Sequence, residues 1–101
     1  MFEWDEAKST RNAAERGLPF EAAAVMFDGN TLEKPDERRD YGEARIQAIG
    51  RVGRVYLFCV YTWRGTPDAP VRRIISLRKA TRKEADAYKA RFEGGAGPEQ
   101  D

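Results

Sequence analysis

Five arginines, Arg45, Arg51, Arg64, Arg72 and Arg78, are spaced through segments rich in β-branched and aromatic residues, with Glu43, Trp63 and Lys79 beside them. A guanidinium is a planar fork that donates bidentately to phosphate oxygens. A row of such forks on one side of a sheet is a surface for a polyphosphate partner. The charge is local. Residues 43–93 carry twelve Lys/Arg against five Asp/Glu, whereas residues 1–42 carry six against ten, so the net +1 conceals a basic half. The plainer reading of the same arginines is a solvated face.

The missing residue types narrow the chemistry further. The chain has no histidine and a single cysteine, Cys59. Ser–His and Cys–His nucleophile pairs are therefore excluded. A zinc or other transition-metal site would need an unusual all-oxygen ligand set. No metal or cofactor is expected, and any reaction must run on Arg, Lys, Glu, Asp, Tyr, Ser or Thr.

The elements that would position these groups can be read along the chain. Phe2 and Trp4 alternate with Glu3 as a short strand. Asp5 stands at a helix N-cap and Gly17 at a left-handed C-cap, which bounds a helix over Glu6–Arg16 with a thin, alanine-rich apolar stripe. Pro19 opens a second short helix with Ala22, Val25 and Met26 at core spacing, stopped by Asp28-Gly29-Asn30. Residues 31–36 read as an edge strand because Pro35 cannot donate a ladder bond, and residues 37–40 as a solvated charged loop. Residues 43–51 and 54–62 form two strands about a Val52-Gly53 turn. Residues 64–70 are expected to be a loop, and residues 71–79 a third strand. Thr81 and Glu84 have the spacing of a capping box, opening a helix with Ala85, Tyr88 and Phe92 on one face.

Alternation then assigns faces. Arg45, Gln47, Ile49 and Arg51 share one side, as do Arg72, Ile74, Ser76 and Arg78, with Thr62 and Arg64 extending the central strand. Ile46, Ala48, Ile75 and Leu77 point the other way. The expected fold is α+β, a small antiparallel sheet with helices packed on one face and arginines on the other; a bulge in any strand would invert part of that pattern. Residues 1–93 are expected to be one domain and residues 94–101 a disordered tail. No apolar run approaches the roughly 20 residues of a membrane span. The start lacks signal-peptide architecture, and a lone cysteine suits a reducing cytoplasm.

At these residues the chain resembles the BrnT family of type II toxins, within the RelE-like ribonuclease group. The resemblance runs over residues 2–92. Its pieces are Phe2-Glu3-Trp4-Asp5, Asn12 to Gly17 followed by Phe20, Ala24-Val25 with Phe27-Asp28, Gly42-Glu43 with Arg45, and Ile49-Gly50-Arg51. Tyr61-Thr62 with Arg64, Arg73-Ile74-Ile75-Ser76 with Arg78-Lys79-Ala80, and Glu84 with Tyr88 complete it. Each piece is short, and the order and spacing carry the match. The chain departs from the pattern at Arg16, where the family often has histidine, and around residues 66–70, which look longer than the usual turn.

The resemblance implies a RelE-like fold and an endoribonuclease that suppresses translation. It also implies a cognate, BrnA-like antitoxin of the ribbon-helix-helix kind, through which alone operator DNA would be met. RNA can be cut without a metal, because its 2′-hydroxyl attacks the adjacent phosphorus and leaves a 2′,3′-cyclic phosphate. On that reading Arg78 and Arg45 clamp the phosphate, Arg64 is the next candidate for that role, and Glu43 serves as the base. Lys79 or Tyr61 assists the leaving oxygen. Arg51, Arg72 and Lys79 contact the RNA, and Trp63 stacks on a base. The alternatives are a non-catalytic RNA- or ribosome-binding module on the same scaffold, and a domain whose basic sheet meets an acidic protein.

Overall fold

The apolar run in the middle of the chain becomes the central strand of a five-stranded sheet. In chain order the elements are β1 (Phe2–Glu3), α1 (Glu6–Arg16), α2 (Glu21–Met26), β2 (Leu32–Pro35), β3 (Ile46–Val52), β4 (Val55–Thr66), β5 (Ala69–Lys79) and α3 (Arg82–Phe92). This computed structural model describes residues 1–94, so all of the expected tail except Gly94 lies outside the described residues. The strand order is β1-β5-β4-β3-β2. Neighbours run antiparallel except β1, which lies parallel to β5 at Phe2 and Glu3. The expected α+β class holds, and the sheet is mixed.

Local signals set the helix ends. Asp5 accepts the Lys8 backbone N–H at 3.1 Å, and Gly17 closes α1 with φ 70°. Thr81 and Glu84 form the complete capping box of α3. Helix α2 supplies the core: Phe20, Ala23 and Met26 pack on Ala48, Leu57, Cys59, Tyr61, Ile74 and Leu77. Ala23 and Met26 take the inward positions, which leaves Val25 53% exposed rather than in the core. Burial pushes the Cys59 thiol up to about 12, so it behaves as a small apolar residue.

The other side of the sheet receives α3 near the β3–β4 hairpin. Tyr56, which alternates with the core residue Leu57, meets Tyr88 edge-on at 5.7 Å, and Arg51 pairs with Glu93. Helix α2 thus covers one face and α3 part of the opposite one. Helix α1 is held by polar latches, with Ser9 its one buried residue. The Ser9 hydroxyl accepts the buried Phe20 N–H, and the Asn12 amide donates to the Leu18 and Leu77 carbonyls. The bond to Leu77 ties α1 to the edge of β5, beyond the stretch that β1 covers.

Two expectations about strands are corrected. Residues 64–70 are a loop only at Pro67-Asp68: β4 and β5 continue past the end of β3 and, beyond the pairing of β1 with Arg72, form a two-stranded ribbon. Proline is tolerated there because the ribbon has no further strands to satisfy, and Gly65 takes φ 78°. The β3–β4 turn is likewise one residue later, at Gly53-Arg54. The second correction concerns parity. A bulge sets Ser76 opposite Val60 but Ile74 opposite Tyr61, so Ile75 is the extra residue. Ile74 therefore joins the core with Leu77, and Arg72 follows it to the α2 side while Ser76 and Arg78 stay on the other.

At Gly50 an added Cβ would lie 2.3 Å from Met26 Cγ and 3.0 Å from its sulfur. Gly50→Ala should therefore destabilise the fold by about 1–3 kcal/mol, as overpacked cores do. Chemical denaturation measures this, and an unchanged midpoint would show that α2 does not need its close approach to β3.

Candidate active site

The part of the sheet left open by α3 is roofed on one side by α1. Between them lies a cleft of about 310 Å³. Its floor is Phe20, Val60, Ile75 and Ser76. Lys8, Arg11, Asn12, Glu15 and Arg16 form one wall, and Asp36, Arg38 and Arg45 the other. The α1 residues recur at helical spacing, so a single face of the helix presents them all. Five cations meet two carboxylates in this space. Among the described residues, Lys8, Arg11 and Arg16 make no ion pair.

Asp36 is the most buried charge in the cleft, with a fully inaccessible side chain. Arg38 donates to it twice at 2.7 Å from its guanidinium and once from its backbone, and Gln47 donates at 3.0 Å. The Arg38 guanidinium holds the Asp36 carboxyl well below the usual carboxylate range, helped by Gln47 and opposed by burial. Asp36 is thus an anchor for Arg38 and a poor proton acceptor. The run that follows it is charged in sequence, yet this one carboxylate is interior.

Three of the four expected catalytic residues come together. Glu43 accepts from Arg45 Nε at 2.9 Å and pairs with Arg64 Nη2 at 3.1 Å. Arg45 lies over the Tyr41 ring at 4.2 Å, and Thr62 steadies the segment by donating its hydroxyl to the Ala44 carbonyl. Arg78 stands on the same strand face as Ser76, one step further along. Its guanidinium sits 4.0 Å from the Phe58 ring centroid, on the ring that Arg38 also approaches at 5.9 Å. Both its Nη atoms bind Glu84, at 2.8 and 2.9 Å, and that fork lowers the pKa of Glu84.

The expected RNA contacts stand elsewhere. Arg51 is six residues from Arg45, roughly 20 Å along an extended strand, and is paired with Glu93 at 2.6 Å. Arg72 lies on the α2 side among the rings of Phe2, Phe27, Tyr61 and Trp63, with its Nε buried and unpartnered. Trp63 is 48% exposed on that same side. Lys79 is exposed at the strand end opposite Leu57, and the Tyr61 hydroxyl donates to Glu33. Burial pushes Tyr61 up to about 12, so it is a weak acid facing away from the cleft.

Sequence reading missed Lys8, Arg11, Arg16 and Arg38. The helical spacing of the first three was a usable signal, masked by the acidic balance of residues 1–42. Among the described residues, no three His, Cys, Asp or Glu side chains converge as a metal site would need.

Because the folded pKa of Asp36 is depressed, its contribution to stability is complete above the unfolded carboxylate value of about 3.9 and is lost as pH falls below it. Glu84 acts with the same sign. Asp36→Asn should cost about 1–3 kcal/mol at neutral pH and flatten the acid limb of the stability curve. Denaturation at neutral and acid pH reads both, and an unaltered acid limb would assign that limb to other carboxylates.

No curated protein matches the chain. The family model described as the ribonuclease toxin BrnT of type II toxin–antitoxin systems matches residues 4–84. That span takes in α1, both walls of the cleft and the Glu43, Arg45 and Arg64 cluster, and with it the chain belongs to the BrnT family of type II ribonuclease toxins.

Proposed function

We propose that this chain cuts RNA internally and without a metal ion, by attack of a 2′-hydroxyl on the adjacent phosphorus, leaving a 2′,3′-cyclic phosphate and a 5′-hydroxyl. The observation that carries the reading is the cleft under α1, where five cations stand against two carboxylates. One of those carboxylates, Asp36, is already neutralised by Arg38. Such a cleft concentrates a phosphodiester backbone and stabilises the added charge of a phosphorane.

In this reading Lys8, Arg11 and Arg16 hold the strand. Arg45 and Arg64 face the reacting phosphate, and Arg78 with Arg38 forms the far margin over Phe58. Glu43, lying between Arg45 and Arg64, takes the proton from the 2′-hydroxyl, and solvent water protonates the departing 5′-oxygen. A carboxylate is an inefficient base near neutrality. Most of the acceleration therefore comes from placement and preorganised charge. Arg51, Arg72, Lys79 and Trp63 are not needed at the reacting phosphate.

The family description supplies an antitoxin partner in type II systems. Our reading makes that partner a ribbon-helix-helix protein that neutralises the toxin and carries it to operator DNA, with mRNA cleavage in the cytoplasm as the route to translation arrest. No helix among the described residues is long and apolar enough to cross a membrane.

The purified protein should cleave RNA in the presence of a chelator and leave DNA of the same sequence intact. Product ends should be cyclic phosphate and 5′-hydroxyl. Arg45→Ala should lower kcat/KM by about 10²–10³, the usual loss when one charge-stabilising donor is removed. Arg11→Glu with Arg16→Glu should weaken RNA binding and make it less dependent on salt. Activity that vanishes with the chelator, or equal cutting of DNA, would end this reading.

A further inference from the structure

The arginines on the open side of the sheet differ in what holds their carboxylate partners. Asp36 accepts from Arg38, from the Arg38 backbone and from Gln47. Glu84 binds Arg78 and also caps the Thr81 N–H of α3. Glu93 is shared by Arg51 and the Tyr56 hydroxyl. Each of these carboxylates is tied to more than its arginine.

Glu43 is not, and neither is Glu3, whose one partner, Arg73, does not line the cleft. The two contacts of Glu43 are single ones, to Arg45 Nε and Arg64 Nη2, and among the described residues it accepts no backbone N–H. It lies ahead of β3, outside any helix or strand. Each guanidinium has five N–H donors, so both arginines keep donors in reserve. Arg64 is 48% exposed, and ion pairs that open to solvent are weak. Removing this carboxylate from between the two forks would disturb no other bond in the fold.

We propose that Glu43 is an internal stand-in for substrate: its carboxylate occupies a phosphodiester subsite between Arg45 and Arg64, and an RNA phosphate displaces it. Convergent arginine forks are the recognised way of holding a phosphate. Arg45 lines the cleft and Arg64 stands just outside it on β4. A strand drawn in along the unpaired α1 cations therefore delivers its next phosphate to this pair. The exchange makes and breaks no covalent bond. It leaves the released carboxylate beside the bound phosphate, where a 2′-hydroxyl proton must be taken. The inference rests on the ribonuclease reading above and adds to it a self-blocking ligand that RNA must dislodge.

The test uses an oligoribonucleotide carrying 2′-O-methyl groups throughout, which presents phosphodiesters but no nucleophile. Binding is followed by fluorescence anisotropy at one salt concentration. Glu43→Gln should bind this probe roughly three- to thirtyfold more tightly than the wild type, the equilibrium equivalent of one exposed and one partly buried ion pair. Adding Arg64→Gln should remove the gain. In the wild type, the Nε–H resonances of both Arg45 and Arg64 should shift as the probe is added, a readout that needs no variant to fold. Equal or weaker binding by Glu43→Gln, a gain that survives loss of Arg64, or silent arginine resonances would each overturn the subsite. If the wild type still cleaves unmodified RNA in those cases, the subsite alone falls. If it neither binds the probe nor cleaves RNA, the ribonuclease reading falls and takes the subsite with it.

Discussion

The bridge made by one side-chain amide underlies the geometry of this protein. Asn12 donates to the Leu18 carbonyl just past its own helix and to the Leu77 carbonyl on β5. With so little apolar surface on α1, that bridge and the Ser9 hydroxyl on the Phe20 N–H decide where the helix lies. A neighbouring strand would have satisfied the same edge and left no wall. The helix instead leans past β5, and its cationic face overhangs the uncovered floor of the sheet.

The bulge at Ile75 acts with that placement. Without it Arg72 would point toward the cleft, and the basic surface would run the length of β5. With it Arg72 turns into a nest of aromatic rings, where its charge is stabilised by their faces. The cations left on the open side are then of two kinds. Those of α1 make no ion pair among the described residues, and those of the sheet are matched by carboxylates from flanking loops, from β1 and from α3 and its end. Long-range attraction and close-range grip are thus supplied by different elements, which agrees with the demands of a chain that must first capture a polyanion and then orient it.

What the sequence made legible was local. Asp5, Gly17, Thr81 and Glu84 set helix ends through bonds spanning a few residues: α1 begins and ends, and α3 begins, where those signals place them. Alternation in β3 was also reliable, because its partners run in register without interruption. The bulge was not legible, since it arises from pairing between β4 and β5 and neither strand alone requires it. The wall of the cleft was hidden for a similar reason: the Asn12 and Leu77 contact joins residues 65 positions apart. The interior position of Asp36 depends on donors from Arg38 and Gln47 meeting there, which a run of charges does not announce. Glu43 and Arg45 meet because they stand two residues apart, and Arg64 reaches them along β4, whose Thr62 binds the Ala44 carbonyl.

Glu84 answers to two structures at once. One of its oxygens closes the Thr81 cap and also receives Arg78, while the other receives the second Nη of that arginine. The last helix and the far margin of the cleft therefore share a hinge pin. A ligand that pulled Arg78 aside would loosen the first turn of α3, and a companion protein clamped on α3 would in turn fix how far that guanidinium can swing.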